Sequence, residues 1–355
     1  MSALAVYAGS KALAHIRQHG LRAEDIKLVV GASGGPKWFV LSKLDQELIG
    51  SFLAETKQPI DFLGSSVGSW RMACYANGDV NAIRKLEEAY VNHCYSENPD
   101  AAEISGAARE ILNKMLSEDD CQHIVVNPKR RLHIVIARTR KLFNHPARVI
   151  QMLTLVSAAF VNVFSRTALQ GFYARTMATT NKQSLPYVNV DKIESVQINA
   201  DNLKPALLAS GAIPFVLEPV LLPGSKPRLH YDGGVIDYHF SGPFPVKDGL
   251  VLYPHFFPKV VPGWFDKGLP WRRMQAKNYE NVVMLTPSKE FIAALPFGKI
   301  SDRKDFSTMD DAQRIQYWNT IVSEGAKLAE AFRSELNKDG FRSLVRPIEE
   351  MLQQA

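Results

Sequence analysis

The sequence predicts a single α/β domain built around a mostly parallel sheet. Three observations predict it. A strand–turn–helix unit occurs twice within the first 75 residues, the opening of a βαβ unit. Three later apolar runs have the length of buried strands. Finally, 46% of the residues are hydrophobic and the 22 Gly and 20 Pro are scattered, which suits a large core and excludes disordered, collagen-like or coiled-coil chains. A length of 355 residues fits one large α/β domain or two smaller ones. No repeat, low-complexity tract or Gly/Ser linker divides the chain, so residues 1–355 are read as one domain.

The first helix is expected over Ser10–His19, with Leu13 and Ile16 inward and Lys11, Arg17 and Gln18 outward. The run Ile26–Val30 is a strand that stops at Gly31. Phe39, Val40, Leu44 and Leu48 then give Pro36–Leu53 helical spacing. A second strand, Ile60–Leu63, stops at Gly64, and a helix follows through about Tyr75. Leu132–Ala137, Leu250–Tyr253 and Val282–Leu285 are the later strands. Helical patterns cover Asn81–Tyr95, Ala101–Leu116, Val149–Phe164 and Ala312–Leu336. The helix-rich stretch from 80 to 180 is long enough to cap the carboxyl edge of the sheet. Within it, Met152–Phe164 is too short to span a bilayer and is read as a core helix, one that could line an acyl-chain pocket.

Two turns fit Gly-x-Ser-x-Gly: Gly31-Ala32-Ser33-Gly34-Gly35 and Gly64-Ser65-Ser66-Val67-Gly68. Each lies between an expected strand and an expected helix, the setting of a nucleophile elbow. Glycines are needed because the serine occupies a sharp turn where neighbouring side chains would clash, and the helix behind it aims N–H groups at developing negative charge. The first turn continues Gly34-Gly35-Pro36-Lys37, a backbone free enough to form an anion nest. It fails as a P-loop at Pro36 and Trp38 and as a dinucleotide fingerprint at Ser33. A third element, His230-Tyr231-Asp232-Gly233-Gly234, offers a carboxylate in a Gly-rich turn. Placed against a serine, it could act as general base without an intervening histidine.

In this order, Gly34-Gly35-Pro36-Lys37, Gly64-Ser65-Ser66-Val67-Gly68 and Asp232-Gly233-Gly234 resemble the patatin-like phospholipases, a family of lipid acyl hydrolases. Ala209-Ser210-Gly211-Ala212-Ile213-Pro214 also resembles that family's small-residue, Ile-Pro block. The resemblance covers islands over about residues 26–240. It implies a three-layer fold with a mostly parallel central sheet and helical insertions. It further implies Ser66 as nucleophile, Asp232 as base, Gly34 and Gly35 as oxyanion donors, and Lys37 in place of the usual Arg. The implied substrate is a lipid or phospholipid ester, with no cofactor and no metal. The first loop departs from the family's Asp-Gly-Gly-Gly, and Pro36 removes one N–H donor.

Other readings stay open at this level. Ser33 could be the nucleophile, and His239 or His255 could complete a Ser-His-Asp triad of the α/β-hydrolase type, in an esterase or an acyltransferase. A non-catalytic lipid- or nucleotide-binding protein would keep the same loops. His15 and His19 have the i, i+4 spacing of a metal pair but lack a third ligand, so a solvated face is expected. The net charge of +6 is spread without a long basic run, so no nucleic-acid partner is expected. An anionic membrane or acidic substrate suits the charge. Aromatics and cations interleave in Tyr253–Arg273, which fits a lipid–water interface or a loop folded back on the core. Cys74, Cys94 and Cys121 have neither disulfide-framework nor zinc spacing, and the N-terminus lacks a signal-peptide core. A cytoplasmic protein with peripheral membrane contact is expected. The sequence does not specify an oligomeric state.

Overall fold

The computed structural model describes residues 2–145, 147–183, 186 and 193–353. Its strands, in chain order, are β1 (Leu4–Ala8), β2 (Ile26–Gly31), β3 (Ile60–Ser65), β4 (Arg130–Thr139), β5 (Tyr173–Thr179), β6 (Glu194–Gln197), β7 (Val220–Leu221), β8 (Leu229–Asp232), β9 (Leu250–Pro254), β10 (Val282–Pro287) and β11 (Arg346–Pro347). They join in one sheet of order β11-β1-β10-β9-β2-β3-β4-β5-β6, while β8 pairs with β4 and β7. The block from β10 through β4 is parallel throughout. β1 and β5 run antiparallel to β10 and β4. The sheet is therefore mostly parallel, as expected from the sequence.

Residues of β3, β9 and β10 are buried along their whole length, and β2 and β4 nearly so. Strands covered on both faces read as continuous apolar runs rather than alternating ones, which is why these five stand out in the sequence. The helices up to residue 211 are α1 (Ser10–His19), α2 (Ser42–Glu47), α3 (Val67–Asn77), α4 (Val80–Val91), α5 (Ala101–Met115), α6 (Glu118–Val126), α7 (Arg148–Phe164) and α8 (Ala200–Gly211). The stretch expected as one helix over Pro36–Leu53 changes pitch twice. It opens as a 3₁₀ turn, becomes α2, and closes as a π turn over Leu48–Phe52. The C-terminal pattern is two helices, Asp311–Glu324 and Ala326–Asp339. They break at Gly325, where a Cβ would lie 2.6 Å from the Val40 carbonyl oxygen.

The expected cap over residues 80–180 is not a separate layer. Two buried strands, β4 and β5, lie inside that stretch, and β4 is central to the sheet. No helix among the described residues is long and apolar enough to cross a membrane.

Candidate active site

The turns after β2 and β3 emerge side by side at the carboxyl ends of the strands, where open α/β sheets bind ligands. Ser66 joins β3 to α3 at φ 56° and ψ −136°, a backbone conformation that costs a side-chain-bearing residue on the order of 1–3 kcal/mol. The elbow closes only because its neighbours have no side chains. A Cβ on Gly68 would lie 2.1 Å from the Gly31 carbonyl oxygen, and one on Gly64 would lie 2.4 Å from Ser69 Cα. Ser210, at the end of α8, pins the turn from the other side. Its hydroxyl accepts the Ser66 N–H at 2.9 Å and donates to the Val135 carbonyl at 2.7 Å.

Asp232 reaches Ser66 through β4. Arg130–Val135 pair with β3, ending with Ser65 opposite Val135. Ile136–Arg138 then pair with β8, which puts Asp232 opposite Ile136. β8 thus takes up the row where β3 stops, and two residues far apart in sequence become neighbours. Ser66 Oγ donates to Asp232 Oδ2 at 2.6 Å, with both side chains buried. Asp232 Oδ1 accepts the Gly234 N–H at 2.6 Å, and the Asp232 N–H donates to Ala212 at 2.8 Å. Burial pushes the Asp232 carboxyl up to about 6. It prevails over the Ser66 and Gly234 hydrogen bonds and the Arg303 and Lys267 charges, all of which favour ionisation. Such a group is ionised at neutral pH yet basic enough to take a proton.

Gly34 and Gly35 line the same cavity as Ser66 and Asp232, a space of about 1010 Å³. Gly35 has φ 54°, which favours glycine. A Cβ on Gly34 would lie 2.5 Å from the Phe256 ring. Lys37 also lines the cavity, ion-paired with Asp302. The walls are largely apolar, with Trp70, Ile104, Ile111, Val216 and Leu217 among them, while Lys259, Lys267, Arg303 and Lys304 add positive charge. Burial, followed by the Lys37 and Arg303 charges, pulls Lys267 down to about 8, and its ammonium sits 3.9 Å from the Tyr238 ring centroid.

The alternative residues are placed differently. Ser33 Oγ donates to the Ser65 carbonyl and lies 3.0 Å from Ser65 Oγ, so it faces a serine and not a carboxylate. His239 lines the cavity, but its Nδ1 accepts the Val261 N–H at 3.0 Å, which leaves the proton on Nε2. His255 is absent from the cavity lining, and its Nδ1 donates to the Phe257 carbonyl at 2.5 Å. Burial drives both imidazoles toward the neutral form, the second to about 3. With Nδ1 occupied and the proton on Nε2, the neutral His239 ring has no nitrogen left to accept a proton from a serine. His15 Nε2 lies 2.8 Å from Asp25 Oδ2, and the described residues contain no group of three or more His, Cys, Asp or Glu able to hold a metal.

Of two apolar segments, one falls on an alternative the sequence left open and the other is a correction. In the Tyr253–Arg273 loop, Phe256 is core, and Trp264 and Phe265 pack half-buried on a small cluster that includes Leu169 and Tyr231. Trp271 is the exposed aromatic there. The helix read as core, α7, lines none of the cavity and exposes most of its apolar side chains. Sequence reasoning gave no role to Ser210; its place in the quoted small-residue block was the available signal.

The family model described as patatin-like phospholipase matches residues 53–240. That span contains Ser66, Ser210 and Asp232 and begins after Gly34, Gly35 and Lys37. No curated protein and no solved structure matches the chain.

Proposed function

Because the chain belongs to the patatin-like phospholipase family, we propose that it is a serine lipid acyl hydrolase that opens carboxylic ester bonds through a Ser66–Asp232 dyad. The observation that carries this reading is the 2.6 Å hydrogen bond from Ser66 Oγ to Asp232 Oδ2. Ser66 Oγ attacks the ester carbonyl carbon as its proton passes to Asp232. The carbonyl oxygen becomes an oxyanion, which the Gly34 and Gly35 amides and the N-terminus of α3 stabilise. Collapse expels the alcohol, protonated by Asp232, and leaves an acyl-Ser66 ester. Water then attacks, with Asp232 again taking the proton. The apolar walls suit an acyl chain, and the Lys37, Lys259, Lys267 and Arg303 charges suit a phosphate-bearing headgroup. No cofactor enters these steps. Residues 1–355 serve as one catalytic unit, and three cysteines without a disulfide suit a reducing cytoplasm.

A fluorophosphonate ester probe tests the reading. The adduct should map by mass to Ser66 and be absent from Ser66→Ala. Labelling should also slow about tenfold per pH unit below about pH 6, because the base must be ionised and its pKa is raised to about 6. An adduct on Ser33, or one that persists in Ser66→Ala, would remove Ser66 from the role.

Ser210 is a positioning residue in this scheme. Ser210→Ala leaves the Ser66 N–H and a Val135 carbonyl lone pair unpaired in the interior, at a cost of about 1–3 kcal/mol. The expected result is a lower urea midpoint and a kcat roughly tenfold down, with KM unchanged, because the turn loosens without altering the cavity walls. Equal loss in kcat and rise in KM would point to general damage instead.

A further inference from the structure

Helix α7 is built inside out. Its inward positions, four apart, are Thr154, Ala158 and Asn162, whereas Val149, Met152, Leu153, Val156, Phe160 and Phe164 point to solvent. Phe160 and Phe164 are 65% and 75% exposed. Contiguous apolar surface of this kind on a folded chain marks a contact face. The helix cannot roll to hide it. Asn162 Nδ2 donates to the buried Asp266 Oδ1 at 2.7 Å, Arg166 bonds the other oxygen, and Arg272 donates to the Asn162 carbonyl at 2.7 Å. Rotation would strip a buried carboxylate of these partners.

We propose that the outer face of α7 docks on an anionic lipid bilayer. Charge selects that occupant. Between Cys121 and Val190 the chain has ten Lys and Arg and not one Asp or Glu. Although Arg131, Arg138, Arg166 and Arg175 pair with Asp61, Glu194, Asp266 and Asp237 from elsewhere in the fold, the cations that flank α7 include exposed ones. Arg140, Lys141 and Arg148 are exposed at the N-terminal approach to the helix, and Arg273 beside Trp271 is exposed near its other end. Lipid phosphates supply the counter-charge this face lacks. A second copy paired face to face through a two-fold axis would bring a second set of the same exposed cations to the contact. The apolar side chains would enter the acyl boundary, with Trp271 at headgroup depth.

The last turn of α7 rests on the Trp264–Asp266 turn, and Trp264 and Lys267 line the catalytic cavity. Docking therefore brings the cavity rim to the membrane, where a lipid ester can pass to Ser66. This purpose rests on the hydrolase reading, whereas the docking itself does not.

Co-sedimentation with vesicles of phosphatidylcholine containing phosphatidylglycerol tests the proposal. Leu153→Gln with Phe160→Gln should weaken binding at least tenfold, since burying one such side chain is worth about that factor. Lys141→Glu with Arg148→Glu should weaken it by a similar factor on anionic vesicles and leave pure phosphatidylcholine binding unchanged. Added salt should weaken wild-type binding. Both double variants should hydrolyse a soluble short-chain ester at the wild-type rate. Wild-type protein that ignores the vesicles, or a Leu153→Gln/Phe160→Gln protein that binds as wild type does, overturns the proposal. So does a wild-type dimer in solution that this variant converts to monomer without any change in vesicle binding. A wild-type protein that binds vesicles yet hydrolyses no ester leaves the docking standing and removes the proposed function.

Discussion

Asp232→Asn is expected to lower ester hydrolysis by about 10²–10⁴-fold in a protein that still folds. The amide can keep the Gly234 N–H bond through its oxygen, which turns its NH₂ toward Ser66. The serine then faces a donor, and its proton has no acceptor. The histidines do not replace the lost base. His239 Nδ1 is occupied by the Val261 N–H, so that ring carries its proton on Nε2, and His255 lies outside the cavity lining with its Nδ1 bonded to the Phe257 carbonyl. Stability should move the other way. The folded Asp232 pKa of about 6 lies above the ordinary carboxylate value, so whatever stability the group adds is complete only at acid pH. That contribution is lost as pH rises through 6. The wild type therefore holds an ionised carboxylate at pH 8 against a cost on the order of 2–3 kcal/mol, which asparagine does not bear. Urea midpoints of the two proteins should separate in favour of Asp232→Asn between pH 5 and pH 8. Hydrolysis rates for Asp232→Asn, His239→Ala and His255→Ala, each normalised to folded protein, make the decisive comparison. A histidine variant as slow as Asp232→Asn would make that histidine the base and end the dyad assignment.

The elbow was legible because its chemistry is steric. Gly31, Gly64 and Gly68 are glycines because backbone passes where Cβ atoms would sit, and that constraint is written directly as a motif. The parallel strands were legible for a related reason, since burial on both faces leaves uninterrupted apolar runs. What failed to show depends on partners distant in sequence. β5, Tyr-Ala-Arg-Thr-Met-Ala-Thr, looks too polar for a buried strand. It is one because Arg175 meets Asp237 at 2.6 Å and Thr179 Oγ1 lies 2.9 Å from the His133 ring. α8 carries Pro205 in its interior, a residue that argues against a helix, although an Asn199–Asn202 capping box starts it and the Ser210 contact with the elbow ties down its last turn. Apolar content alone reads α7 as core because it does not say which side faces the protein. The polar stripe Thr154–Asn162 carries that information, and it takes its meaning from Asp266 beneath it.

The second large effect lies in a pair that no motif marks. Asp45 on α2 and Arg71 on α3 are both fully buried, joined by two bonds of 2.7 Å, and Tyr75 donates to the same carboxylate at 2.8 Å. Burial works against the charged guanidinium, yet Asp45 more than offsets it and raises the Arg71 pKa. Arg71 stands five residues after Ser66, so the pair ties the helix behind the elbow to the helix that follows the glycine-rich loop. Asp45→Ala would leave a buried cation without its counter-charge, a loss of about 3–5 kcal/mol. The melting temperature should fall by roughly 5–10 °C, and the urea midpoint with it. An apolar set of similar volume, Asp45→Leu with Arg71→Met and Tyr75→Phe, should recover most of that loss, because it removes the desolvation cost along with the attraction. Chemical denaturation of the single and triple variants separates the two contributions. Should Asp45→Ala unfold at the wild-type urea midpoint, the pair does not hold the elbow helix in place. If the triple variant proves no better than Asp45→Ala, packing around α3 matters more than charge, and the anchor works through shape.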